Sequence, residues 1–192
     1  MKKIEIGCGK KRRTDGYECC DIRNIEGVDH VCSADKLPFD DDSVDEVYSR
    51  HVIEHFSLKE FLDVLVEWNR VLKDGGQLYI ICPNWLWHLE QITSGTHDSF
   101  YNKEPGKNDR YWGFGSLFGW QQDEYDVHKF GYYFELLEDI LKDAGFGKIE
   151  NLTNQPESRE QAMHHLEVRA AKVSEFTDAS QHKLFSHFDV SH

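Results

Sequence analysis

The residues best suited to chemistry in this 192-residue chain fall in three places. The first is Glu5-Ile6-Gly7-Cys8-Gly9, where a β-branched stretch runs into a glycine turn. Gly7 and Gly9 can adopt backbone angles closed to other residues and let a ligand approach where a Cβ would block it. The second is Asp21, at the end of the next apolar stretch. An ionised carboxylate can accept from two vicinal hydroxyls at once, although aspartate also suits an ordinary turn. The third is His51-Val52-Ile53-Glu54-His55, with His128-Lys129-Phe130 far downstream. Histidine titrates near neutrality and can move protons. His55 and His128 are therefore the candidate catalytic bases, with Tyr132 as an orienting group; a purely structural hydrogen-bonding role competes, above all at His55.

The His-x-x-Glu-His spacing also fits an inverted zinc-peptidase motif, in which two histidines share a helix face and the glutamate acts as base. That chemistry needs a long helix around the motif and a third ligand. Here the motif follows directly on an apolar strand, so the sequence assigns no metal site.

The elements that must position these residues alternate between strand-like and helix-like, the pattern of a parallel sheet with crossovers. Strands are expected at Lys3–Gly7, Glu18–Ile22, Asp29–Ser33, Val44–Ser49 and Leu78–Cys82. A helix is expected from Leu58 to Leu72, where apolar residues recur at helical spacing. Ser57 and Glu60 form its capping box, and Lys73-Asp74-Gly75-Gly76 ends it. Residues 85–128 break the rhythm with glycines and many aromatics. A loop this long is rare unless it is functional, so it reads as an insertion over the ligand end of the sheet or as a cover for exposed core. A helix at Tyr133–Ala144, a strand at Lys148–Leu152 and a last, antiparallel strand at Leu166–Lys172 follow, with a helix over 157–171 as the alternative to that last strand. One domain over 1–173 and a tail over 174–192 complete the chain.

Composition narrows the function classes. The net charge of −13 argues against nonspecific binding to nucleic acid or to anionic membrane. Lys10-Lys11-Arg12-Arg13 is the one dense basic run. No apolar run is long enough to span a bilayer, and no signal peptide precedes the first strand. A cytoplasmic location follows as the expectation, with the five cysteines as reduced thiols.

Taken in order, the motifs resemble those of class I S-adenosylmethionine-dependent methyltransferases, type 11-like. The matching pieces are Glu5-Ile6-Gly7-Cys8-Gly9, Asp21, Leu37-Pro38-Phe39, Val44-Asp45-Glu46-Val47, His51-Val52-Ile53-Glu54-His55, Arg70-Val71-Leu72-Lys73-Asp74-Gly75-Gly76 and Asp143-Ala144-Gly145-Phe146. The resemblance implies an α/β, Rossmann-like, mostly parallel sheet of seven strands in the order 3-2-1-4-5-7-6, with helices on both faces. Lys10–Tyr17 is too short for an ordinary crossover helix, so the first helix should be reduced or absent.

By the same resemblance the cofactor is S-adenosylmethionine. Glu5, Gly7, Cys8 and Gly9 would cradle it, Asp21 would hold the ribose and Ile22 would lie beside the adenine. Ala34 and Asp35 would border the base, Leu37 would lie against one ring face, and His51 would face the cofactor. Arg12 or Arg13 could reach its carboxylate. The implied function is methyl transfer to a small-molecule or glycan/lipid-linked acceptor, with no nucleic-acid partner and with a homodimer left open. The alternative is a degenerate cofactor-binding or partner-binding module without catalysis.

Overall fold

The structure, a computed structural model, describes residues 1–9, 14–94, 110–160 and 162–183, and only the backbone of 110–113. Seven strands form one sheet: β1 (Lys3–Ile6), β2 (Glu18–Asp21), β3 (His30–Val31), β4 (Val44–Arg50), β5 (Leu72–Pro83), β6 (Phe146–Asn151) and β7 (His165–Lys172). Their order is β3-β2-β1-β4-β5-β7-β6. The first five run parallel, and β7 lies antiparallel between β5 and β6. This is the expected topology, and the helix considered over 157–171 gives way to β7.

Among the described residues the helices α1 (Leu58–Val71), α2 (Trp85–Ser94), α3 (Arg110–Phe118) and α4 (Phe134–Asp143) accompany the sheet. The α1 capping box forms in both directions, with Ser57 N–H donating to Glu60 Oε2 at 2.6 Å and Glu60 N–H donating to Ser57 Oγ at 3.3 Å. Leu62, Leu65 and Trp68 of α1 and Leu137, Ile140 and Leu141 of α4 meet Ile4, Val47, Leu78 and Ile80 in one apolar core. Burying an aliphatic side chain of this size stabilises the fold by about 1.5–3 kcal/mol.

Among the described residues no helix separates β1 from β2. The sheet surface thus left bare carries Tyr17, Tyr48 and Tyr79 in edge-to-face contact. Arg159 lies over it, with its guanidinium 4.2 Å from the Tyr79 ring centre and 4.5 Å from that of Tyr48. It also donates to Glu46 at 2.9 Å. A cation on aromatic faces, paired with a carboxylate, covers surface that a crossover helix would otherwise bury.

Two sequence expectations need correction. Lys73-Asp74-Gly75-Gly76 does not cap α1: the helix stops at Val71, and Leu72 is already extended. The four residues bulge out of β5 between Leu72, paired with Val44, and Gln77, paired with Glu46, and Gly75 takes φ +74° there. Residues 174–183 pack on the domain, with Phe176 and Ala179 buried and Asn69 bonding both Ser174 and Phe176. Cys8 and Cys19 are disulfide-bonded, with Cα atoms 5.8 Å apart; Cys8 lies in the turn just past β1, and Cys19 is on the adjacent strand β2.

Candidate active site

A cavity of about 580 Å³ opens at the carboxyl ends of β1, β2 and β4. Parallel sheets bind ligands there, where strand order reverses about the first strand. Gly7 forms part of its floor at φ +68°, and a Cβ on it would sit 2.3 Å from Val52 Cγ2. Asp21 ends β2 directly opposite and is 4% exposed. Its Oδ2 accepts from Gly9 N–H at 2.9 Å, tying the glycine turn to the strand tip. Arg23 forks onto the same carboxylate at 3.0 and 3.2 Å. Burial alone would raise the Asp21 carboxyl, but the bonds from Arg23 and Gly9 hold it below the ordinary carboxylate value.

The wall beyond Asp21 is built by Cys32, Ser33, Ala34 and Leu37, and α1 clamps it in place. Trp68 Nε1 donates to the Ala34 carbonyl at 3.1 Å, and Leu37 N–H donates to Glu67 Oε1 at 2.6 Å. Arg70 Nη1 reaches the Phe39 carbonyl at 2.9 Å. These helix residues act on the cavity through the wall they hold.

The inner end is a histidine cluster. His51 lines the cavity at φ +53°, an uncommon conformation for a residue with a Cβ. Its Nδ1 pairs with Oε1 of the buried Glu54 at 3.0 Å. Burial would raise Glu54, yet the His51 hydrogen bond and the neighbouring His51, His55 and His128 keep it low. Residues 53–55 form a single 3₁₀ turn. Lys129 and Phe130 N–H both donate to the Glu54 carbonyl, at 2.7 and 3.3 Å, and so bring His128 against His55 with ring centres 5.0 Å apart. Gly131 permits this return, since a Cβ there would fall 1.8 Å from the Trp85 ring. Residues Gln122–Asp126 border the cavity from the other side.

Residues 4–80 match the family model described as a methyltransferase domain. The fold is similar to that of a SAM-dependent methyltransferase from Methanosarcina mazei, with 22% identity, TM-score 0.56, and coverage of 91% of this chain and 93% of that one. A second, from Archaeoglobus fulgidus, is 16% identical at TM-score 0.55, covering 89% and 86%. The fold is that of class I S-adenosylmethionine-dependent methyltransferases. The mouse protein named "Probable tRNA methyltransferase 9B" is 36% identical over 101 residues, which is 45% of this chain and 22% of that protein. The chain thus spans about a fifth of the length of the curated relatives it matches.

Within this fold, the cavity gathers Gly7, Asp21, Ile22, Ala34, Leu37, His51 and His55 from the residues singled out in sequence. Gly9 reaches it through Asp21. Glu5, Cys8 and Asp35 do not line it. Glu5 is buried in the sheet, in register with Cys19 and Tyr48. Cys8 is turned toward Cys19, and Asp35 is exposed beside Ser33. His128 also lies off the cavity: its Nδ1 donates to the Ser116 carbonyl at 3.0 Å, and burial lowers its pKa. Tyr132 is buried, with its hydroxyl on the Ile53 carbonyl at 3.4 Å. Arg12 and Arg13 lie outside the described residues. The zinc-peptidase geometry is absent, because a three-residue turn cannot set His51 and His55 on one helix face. No described helix is long and apolar enough to cross a membrane.

Sequence reading missed Arg23, Glu67 and Trp68, while Gln122–Asp126 belong to the 85–128 stretch expected over the ligand end of the sheet. For Arg23 a signal existed: an arginine two residues beyond a strand-end aspartate is within reach of it.

Proposed function

We propose that this chain transfers the methyl group of S-adenosylmethionine to a small, uncharged or cationic acceptor such as a sugar hydroxyl or an amine. The observation that carries the reading is the Gly9–Asp21 bond beside the cavity. It sets two carboxylate oxygens next to a glycine turn, an arrangement suited to a ribose diol and a methionine backbone. Gly7, Ile22, Ala34 and Leu37 would line the cofactor's seat. Glu5, Cys8 and Asp35 have no place in it.

Bound there, the cofactor would supply a sulfonium methyl group to the acceptor's lone pair, its sulfur keeping the bonding electrons of the broken C–S bond as a thioether. The protein's work is alignment and exclusion of water. A hydroxyl or ammonium acceptor must also lose a proton. His51 faces the cavity and is oriented by Glu54, so it takes that role in preference to His55 and His128.

The name of the mouse relative points, for that protein, to a tRNA acceptor. Here Asp123, Glu124 and Asp126 border the cavity and the whole chain carries −13. Both repel a polyphosphate backbone. The Arg23 fork favours the second reading, a module without catalysis, because it already occupies the Asp21 oxygens.

Calorimetry with S-adenosylmethionine separates the two. The parent protein should bind it, and Asp21→Ala should weaken binding about 100-fold, near 3 kcal/mol for two charge-assisted hydrogen bonds. An absence of binding by the parent at millimolar cofactor defeats the enzyme. His51→Asn should lower kcat at least about 100-fold, the low end of general-base contributions, and leave cofactor Kd in place.

A further inference from the structure

We propose that Glu54, His55 and His128 form a binding site for one divalent first-row transition ion at the inner wall of the cavity. One ligand atom from each residue lies within 4.8 Å of the other two. Some point then lies within about 2.8 Å of all three atoms, so small side-chain movements reach the 2.0–2.2 Å of zinc bonds.

The protonation pattern is that of ligands already oriented. His55 Nδ1 is 3.2 Å from the Val127 carbonyl, and His128 Nδ1 is 3.0 Å from the Ser116 carbonyl. A carbonyl can only accept, so each ring carries its proton on Nδ1 and keeps the Nε2 lone pair for a metal. Independently, Glu54 is 1% exposed, and among the described residues its Oε2 has no hydrogen-bond partner while Oε1 takes His51. An unpartnered, buried carboxylate oxygen is costly, and a cation answers that cost directly.

Two imidazoles and one carboxylate, with positions left open, suit Zn²⁺, Fe²⁺ or Co²⁺. Mg²⁺ and Ca²⁺ prefer all-oxygen sets. The ligand set differs from the peptidase motif, since Glu54 is a ligand here, His51 is not, and the third donor arrives from residue 128. The backbone bonds from Lys129 and Phe130 to the Glu54 carbonyl hold the two segments together. Because His55 lines the cavity, an ion at this site can take an acceptor's hydroxyl oxygen. That role rests on the methyl-transfer reading; the ion site does not.

The test uses the full chain, stripped with a chelator and titrated with Co²⁺ and with Zn²⁺ by absorption and calorimetry. One ion per chain should bind with micromolar or tighter Kd, with Co²⁺ d–d bands. His128→Ala and Glu54→Gln should each weaken it beyond the about 10–100-fold that loss of an outer-sphere partner costs. His30→Ala, in a histidine paired with Glu18 on another part of the sheet, should change nothing. If Glu54→Gln fails to fold by circular dichroism, His55→Ala carries the same expectation. Asp21→Ala should keep the ion while losing S-adenosylmethionine, so failure of the cofactor seat and failure of the ion site are read separately. No saturable binding at micromolar ion, or equal binding by parent and His128→Ala, overturns the proposal.

Discussion

The two ends of the cavity are built on different plans. The end with Gly7, Gly9 and Asp21 is made where adjacent parallel strands stop, from residues 12 apart in the sequence and tied by one backbone-to-carboxylate bond. The histidine end joins a turn at 53–55 to a segment that returns some 70 residues later, through bonds from Lys129 and Phe130 to the Glu54 carbonyl. One end is fixed by sheet register and the other by long-range docking. The first should therefore be rigid and fail only when its geometry is broken. The second should respond to charge, because it is crowded with titratable groups.

The largest effect is expected from breaking the rigid end. Gly7→Ala meets two penalties: a Cβ 2.3 Å from Val52 Cγ2 and a φ of +68° that an L side chain rarely adopts. Together they should cost about 3 kcal/mol or more in stability, by overpacking and backbone strain. S-adenosylmethionine affinity should fall with it. Thermal unfolding and calorimetry measure the two losses. Adding Val52→Ala should recover the packing part and leave the backbone part. Unchanged affinity in Gly7→Ala would mean that the glycine turn is not the cofactor's seat.

How much of this was legible in the sequence follows the same division. The glycine turn, Asp21 and the α1 capping box are local, and each lies where the residues themselves place it. The Gly75-Gly76 pair illustrates the limit: glycines after a helix signal a stop, but β5 began at Leu72 and absorbed them as a bulge. The pairing of His55 with His128 depends on the path of residues between them, which no spacing rule reports. Arg159 is harder still. Its role exists only because the β1–β2 connection leaves three tyrosines uncovered, and nothing near residue 159 announces that vacancy. Glu5 shows the opposite error, since a carboxylate near a strand end looks functional until the register buries it beside Tyr48.

A somewhat smaller effect, at the other end, should come from acid. His51 meets His165 edge-to-face with ring centres 4.8 Å apart, His165 lies tilted against His164 at 4.0 Å, and His88 bonds the His164 carbonyl at 3.2 Å. Burial pushes His88 down to about 4 and His165 down to about 2. Their folded values lie below the unfolded 6.5, so the stability they contribute is complete above that value and declines as pH falls toward the folded one. For His88 the loss between pH 6.5 and 4 is on the order of 3 kcal/mol. The groups acting on it are His164, His51 and His128. Glu54, held low, adds no loss above the ordinary glutamate range. Urea unfolding at pH 7, 6, 5 and 4 should show this decline, flattened in His88→Asn. Hydrogen exchange should rise in α2 before it rises in β1 and β2. Simultaneous loss at both ends would abolish the contrast between them.

The smallest effect is expected at Lys129, and it sharpens the contrast because one residue serves two purposes there. Its backbone N–H fixes the histidine end by donating to the Glu54 carbonyl at 2.7 Å, a bond that Lys129→Ala leaves in place. Its ammonium pairs with Glu60 at 3.0 Å, where both side chains are nearly half exposed. Exposed pairs contribute about 0–1 kcal/mol, so Lys129→Ala should shift the urea midpoint by well under that amount at pH 7. Glu60 keeps its bond from the Ser57 N–H, and the α1 start therefore survives. S-adenosylmethionine Kd should stay within about twofold, since a charge this exposed is screened. The ammonium nevertheless lines the cavity beside acidic residues. Its removal makes that border more negative, and KM for a cationic acceptor should fall while KM for an anionic one rises. A large loss of stability in Lys129→Ala would show that the docking of the histidine end depends on the side chain and not on the backbone bond.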